Sequence, residues 1–266
     1  MPNNTNNPSV LMQHNLENFK HTIVVMSGKG GVGKSTVSIN LAYALAGIGK
    51  QVGILDVDLH GPSAAKMTGT EGIRNPVSER GNPEPIQAEQ NLYVLSLASM
   101  LGDVDTPVIW RGPMKTKTIK QFLDSFEWPP IDYLIVDCPP GTGDEPLSVL
   151  QTIPNVDGAV IVTTPQEVAL IDARKAIAFS RQLDVPILGI VENMSGFVCP
   201  KCGEHMDIFK SGGAEKAADD FKIQLLGKIP LNAQIVESGD SGKPWAASQP
   251  DGPFSKIAQE LTTKLD

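Results

Sequence analysis

Between residues 21 and 49 a β-branched apolar run, a glycine-rich loop and a helix-patterned stretch follow one another without interruption: HTIVVMSG, then KGGVG, then KSTVSINLAYALAGIG. A short apolar run of this kind reads as a strand buried on both faces. Val37, Leu41, Ala44 and Leu45 fall on one face of the helix that follows. The alternation continues along the chain. QVGILDVD (51–58), NLYVLSLAS (91–99), DYLIVDCPPG (132–141), DGAVIVTTP (157–165), VPILGIVENM (185–194) and IQLLGKIP (223–230) read as strands, and 113–126, 167–182, 213–221 and 254–264 as helices. Doubly buried strands separated by helices predict an α/β fold: one domain with a mostly parallel sheet flanked by helices, right-handed crossovers, and ligands at the carboxyl ends of the strands.

Two stretches break that rhythm. Residues 69–90 are rich in turn formers and predict a surface excursion, and SGFVCPKCGEHMDIFKSG (195–212) interrupts the passage from one strand to the next helix. The Asn-rich first 18 residues read as a disordered tail, which leaves 19–266 as the domain, with an insertion at 195–212. The formal net charge of −8 argues against a protein that coats nucleic acid through a basic surface. No apolar run reaches the roughly 20 residues of a spanning helix, and the N-terminus lacks a signal-peptide pattern. Three cysteines are too few for a disulfide scaffold. These features point to a cytoplasmic protein with neither membrane nor nucleic acid as a partner.

Gly28-Lys29-Gly30-Gly31-Val32-Gly33-Lys34-Ser35 fits the phosphate-loop pattern GxxxxGK[ST]. Glycines let backbone N–H groups turn around phosphate oxygens, and the following helix adds its positive end. Lys34 is the candidate to neutralise the β- and γ-phosphates, Ser35 to ligate Mg²⁺, and Thr36 to lie near the α-phosphate. Lys29 is a second lysine that the motif does not require. It either reaches a neighbouring subunit's nucleotide, as an arginine finger does, or is a solvated cation near polyphosphate.

Asp56 and Asp58 close the strand 51–58 and alternate to the same side, toward the phosphate edge. One can orient an attacking water and the other can hold Mg²⁺-bound waters. Asp137, after four apolar residues, has the setting of an acid in the outer shell of Mg²⁺. Gly141 and Gly143 allow the next loop to respond to a γ-phosphate, Asp144 reads as a helix cap, and Cys138 as a small buried side chain. No [NT]KxD element that would read guanine is present. Cys199 and Cys202 form a C-x₂-C, open to thiol redox, zinc or iron–sulfur chemistry, with His205 three residues on. Metal ions and clusters usually take four protein ligands, and one chain supplies two thiols here.

GKGGVGKST resembles the deviant Walker A motif of the MinD/ParA/ArsA group of dimeric P-loop ATPases. The resemblance implies that Lys29 is the signature lysine that contacts nucleotide across a homodimer interface, that Asp58 positions the attacking water, and that Asn193 reads adenine, so that ATP with Mg²⁺ is the ligand. NMSGFVCPKCGEHMDIFKSGGAEK and DTPVIWRGPM (105–114) resemble the Mrp/ApbC branch of these ATPases. Members of that branch are taken to carry an iron–sulfur cluster and pass it to apoproteins. With the homodimer, Cys199 and Cys202 of two chains would give the four thiolates of one [4Fe–4S] site, and zinc could occupy the same thiolates in purified protein. The expected partners are a second copy, recipient apoproteins and a cluster-assembly scaffold, and the activity is slow ATP hydrolysis. The chain lacks the N-terminal cysteine cluster of some relatives and the extra small domain of others. Competing expectations are a membrane positioner, a DNA partition ATPase, either with structural zinc at the CxxC, and an ATP-driven electron donor.

Overall fold

The computed structural model describes residues 10–58, 61, 63–96, 112–153 and 155–266. The predicted 105–114 segment lies largely outside the described residues. A helix α1 (Val10–Asn18) leads into β1 (Phe19–Met26), followed by α2 (Lys34–Gly47), β2 (Val52–Asp56), α3 (Ala64–Met67), β3 (Ile86–Glu89), β4 (Leu92–Ser96), α4 (Gly112–Ser125) and β5 (Ile131–Asp137). Then come α5 (Asp144–Thr152), β6 (Gly158–Thr163), α6 (Glu167–Gln182), β7 (Ile187–Glu192), the two-residue strands β8 (Phe197–Val198) and β9 (His205–Met206), α7 (Gly213–Phe221), β10 (Leu225–Lys228), α8 (Ala233–Asp240) and α9 (Pro253–Leu265).

Eight strands form one sheet in the order β10-β7-β6-β1-β5-β2-β4-β3. All neighbours pair parallel except β3, which runs antiparallel to β4 at the edge. β1 is central, with β5 on one side and β6 on the other, so the loop after β1 opens at the point where strand order turns outward in both directions. Such a switch point is where sheets of this class bind ligands. Every residue of β2 and β6 is buried, as expected for strands covered on both faces. Residues from α2, α8 and α9 pack on one face and residues from α1, α4, α5, α6 and α7 on the other.

Two expectations need correction, the tail over the first 18 residues and the Asp144 cap. Val10–Asn18, read as part of a tail, is a helix pinned above all by the buried Asn15. Asn15 is fully buried, its Nδ2 donates to Leu123 O and Phe126 O at 2.7 Å each, and its Oδ1 accepts from Trp128 N at 3.0 Å. These contacts lie more than 100 residues away, so local composition carries no sign of them. Helix α2 is buried beyond the face its apolar residues mark. Ile39, Asn40 and Ala42 on its other side are buried as fully as Leu41 and Leu45, because α9 and the turn at Trp245–Ser248 cover them. Asn40 ties that cover down, with Oδ1 accepting from Ala246 N at 2.8 Å. The excursion 69–90 contains the edge strand β3. Asp144 lies in the first turn of α5 behind Gly143 and makes no side-chain cap. Helix α8 lacked an expectation of its own, although its Asn232 cap, which accepts from Gln234 N, was visible in the sequence.

Candidate functional site

The phosphate loop runs from the end of β1 into α2, so its backbone N–H groups and the helix N-terminus point into one concavity. Gly31 and Gly33 have φ of 80° and 82°, the left-handed region that glycine enters without steric cost. Gly28 is required for a different reason: a Cβ there would come within 2.0 Å of Asp172 O on α6. Ser27, Lys29, Gly30, Gly31, Gly33, Lys34, Ser35, Thr36 and Asp58 line a common cleft.

Lys34 is buried, and its Nζ donates to Asp137 Oδ1 at 2.7 Å and to Ser35 Oγ at 3.3 Å, with Asp58 Oδ2 at 3.9 Å. Burial acts against its charge. The field and hydrogen bond of Asp137, with Asp58 and Asp56 behind, outweigh burial and hold the ammonium pKa above its ordinary value. Asp137 Oδ1 also accepts from Ser38 Oγ at 2.7 Å, while Oδ2 is buried without a hydrogen-bond partner. A buried acceptor of this kind beside the Ser35 hydroxyl fits the outer shell of Mg²⁺, where it would accept from a metal-bound water.

The two strand-end aspartates differ in environment. Asp56 is fully buried and accepts from Asp58 N at 3.1 Å, Ala64 N at 3.0 Å and Ser96 Oγ at 3.1 Å. Burial, then the field of Asp137, pushes its pKa up to about 7 against those hydrogen bonds. It ties Asp58 N and Ala64 N to the end of β2 and is not among the residues that line the phosphate cleft. Asp58 lines that cleft.

Asn193 follows β7 and donates from Nδ2 to Val32 O at 2.9 Å. It packs against Gly33, where a Cβ would meet Nδ2 at 2.1 Å. An amide nitrogen has two hydrogens, so the second hydrogen and Oδ1 remain to face the neighbouring cavity. That cavity is lined by Thr36, Met194, Pro230, Leu231, Ile235 and Val236 among others, next to the phosphate loop.

Cys199 and Cys202 sit at the tip of the β8–β9 hairpin. Cys199 N donates to Glu204 O and Gly203 N to Cys199 O, which closes a tight turn with Gly203 at φ 74°. The N–H groups of Cys202 and Lys201, and then the Cys202 side chain, hydrogen-bond Cys199 and hold its thiol pKa below the ordinary value. Both thiols are accessible, whereas Cys138 is buried and its thiol pKa is pushed up by burial. His205 turns to Asp207, at 3.8 Å. Among the described residues no three His, Cys, Asp or Glu side chains gather around one metal position, so His205 does not extend the pair. Lys29 lies between the phosphate cleft and a second cleft shared with Gln166, Glu167, Val168, Ile208, Phe209 and Lys210. The phosphate loop and the end of the cysteine excursion therefore meet at one edge of the molecule.

Sequence reasoning missed Glu192, the last residue of β7. It is fully buried, and its oxygens accept from Ser195 Oγ at 2.6 Å and Ala214 N at 2.8 Å, at the two ends of the excursion. The available signal was an acid at the end of the apolar run ILGIVE.

Residues 18–266 match the family described as ParA, the NUBPL iron-transfer P-loop NTPases. The chain belongs to the NUBPL iron-transfer P-loop NTPase family. It is 46% identical over 257 residues to the iron–sulfur cluster carrier protein of Methanocaldococcus jannaschii, covering 96% of this chain and 88% of that protein. It is also 46% identical over 253 residues to the iron–sulfur cluster carrier protein of Escherichia coli K12, covering 95% of this chain and 68% of that one. Among solved structures it superposes on the nucleotide-binding protein of Archaeoglobus fulgidus in complex with ADP, with TM-score 0.79, 38% identity, and 92% and 94% of the two chains covered. The cell division ATPase MinD of Pyrococcus furiosus follows the same fold at TM-score 0.67 and 25% identity, covering 92% and 99% of the two chains. This NUBPL-family chain thus combines a MinD-like nucleotide domain with a cysteine hairpin at its ligand edge.

Proposed function

We propose that this chain is an ATP-binding and ATP-hydrolysing carrier that holds a labile [4Fe–4S] cluster between two copies of itself and transfers it to apoproteins. One observation carries the reading: a C-x₂-C hairpin with accessible thiols, hydrogen-bonded for thiolate character and without further ligands from its own chain among the described residues, belongs to an excursion whose last residues share a cleft with Lys29 of the phosphate loop. A second copy related by a two-fold axis supplies the other two thiolates and completes the four-cysteine set. The names of the relatives from M. jannaschii and E. coli support the same cargo.

In this reading the loop 28–36 binds the phosphates of ATP, and Lys34 leaves Asp137 to meet the β- and γ-oxygens. Ser35 would hold Mg²⁺, whose contribution is to neutralise phosphate charge, while Asp137 Oδ2 accepts from its hydration shell. Asp58 orients the attacking water and Lys29 reaches the partner's nucleotide. Asn193 faces the base in the adjoining apolar cavity. The cluster is cargo: it arrives from an assembly scaffold and leaves to recipient apoproteins in the cytoplasm.

The membrane-positioner alternative loses its anchor. Phe254, Ile257, Ala258 and Leu261 of α9, the face such a helix would lay on lipid, are buried in the core. No helix among the described residues is long and apolar enough to cross a membrane.

The test is anaerobic reconstitution followed by transfer to an apo-enzyme that needs a [4Fe–4S] cluster. The native chain activates the recipient. Cys199→Ser and Cys202→Ser keep ATP hydrolysis but neither retain cluster absorbance nor activate it. Full activation by either variant would overturn the proposal.

A further inference from the structure

We propose that Glu192 is a positioning residue through which occupancy of the phosphate loop sets the placement of the cysteine hairpin. The inference deepens the carrier reading and rests on it for its biological meaning, but its physical content is independent of any cluster. Two consecutive residues at the end of β7 carry the argument. Asn193 touches the nucleotide loop: its Nδ2 donates to Val32 O at 2.9 Å and abuts Gly33 so closely that a Cβ there has no room. Glu192 touches both ends of the excursion: Oε1 accepts from Ser195 Oγ at 2.6 Å and Oε2 from Ala214 N at 2.8 Å. Ser195 begins the excursion and Ala214 lies in the first turn of α7, just after it.

A carboxylate with no solvent exposure is costly to bury unless its hydrogen bonds are made. Here the described hydrogen bonds to the Glu192 carboxylate come from the ends of the inserted segment, so the clamp holds those ends to the strand as one unit. The backbone on either side is tied in as well. Ile229 N donates to Glu192 O, Ser195 N to Ile229 O and Leu231 N to Gly196 O, each at 2.8 Å. A phosphate ligand that draws in the N–H groups around Gly33 acts on Asn193 by direct contact. The adjoining peptide passes any displacement to Glu192, and the clamp passes it to both stems of the hairpin. No chain of remote side chains is needed, since the two sites share one strand end.

Alkylation of the hairpin thiols in cluster-free protein tests this, with and without MgADP as the probe, followed by peptide mass spectrometry so that Cys199 and Cys202 are read separately from buried Cys138. In the native chain MgADP changes the Cys199 alkylation rate by about fivefold or more, the size of an ordinary coupling between sites. Glu192→Ala still binds MgADP, with an affinity change no larger than the roughly fivefold coupling it removes, and brings the rate ratio to about one. Glu192→Gln, whose amide oxygen can accept from Ala214 N while its nitrogen donates to Ser195 Oγ, restores the ratio. A merely structural role does not predict loss of the nucleotide effect with retained affinity and rescue by the amide. Should Glu192→Ala not fold, Ser195→Ala removes one arm of the clamp and lowers the ratio. The proposal is overturned if MgADP leaves the native rate unchanged, or if the folded variants keep the native ratio. Because no cluster is present, these outcomes are separate from a failure of reconstitution, which would strike the carrier reading alone.

Discussion

Lys34 and Asp137 form a buried charge pair, and in the proposed function a phosphate ligand opens it. Lys34→Ala removes the cation for the β- and γ-phosphates and leaves the Asp137 charge buried. ATP binding falls below detection by calorimetry, and the nucleotide-free fold loses about 3–5 kcal/mol, the usual consequence of breaking a buried pair. Lys29 makes no ion pair with a described residue and lies at the cleft shared with the excursion. Lys29→Ala therefore keeps ATP affinity and slows hydrolysis by about 10³-fold if the side chain acts in trans. An unchanged rate returns Lys29 to a solvated role. Cys199 titrates below an ordinary thiol because backbone N–H groups favour its charged form. The thiolate is the reacting species, so lowering the pKa keeps it reactive at lower pH. Its alkylation rate in cluster-free protein reaches half-maximum below about pH 8.5, the ordinary thiol value, and a midpoint at or above that pH contradicts the hairpin geometry.

At the scale of elements, the sequence made the strands and most helices legible because each carries its own period. α6 and α7 occupy the expected 167–182 and 213–221. Residues whose structure depends on distant partners were not legible. α1 holds through Asn15, whose partners lie beyond residue 120. Asn15→Ala orphans Leu123 O, Phe126 O and Trp128 N and costs about 1–3 kcal/mol for each group that water cannot reach. Chemical denaturation measures this as a lower midpoint at unchanged slope, and an unshifted midpoint contradicts the role of Asn15. The candidate site divides in the same way. The loop 28–36, Asp137 and the C-x₂-C were readable because their chemistry dictates spacing. The different environments of Asp56 and Asp58 were not, because strand alternation gives both the same direction, while the donors Ala64 N and Ser96 Oγ that bury Asp56 lie farther along the chain. Glu192 was hidden for a related reason: its partners are a hydroxyl three residues on and a backbone N–H 22 residues away.

At the scale of the molecule, one edge of the sheet holds the phosphate loop, Asn193, Lys29 and the base of the cysteine excursion. In the proposed function, the two thiols of the excursion and the Lys29 cation complete a site by meeting a second copy of the chain. Mass spectrometry under native conditions, on protein reconstituted without oxygen and supplied with MgATP, tests this most directly. The account predicts a species of two chains carrying four iron and four sulfide, lost in Cys199→Ser. Single chains without iron, or with a metal ion held by one chain alone, would contradict it.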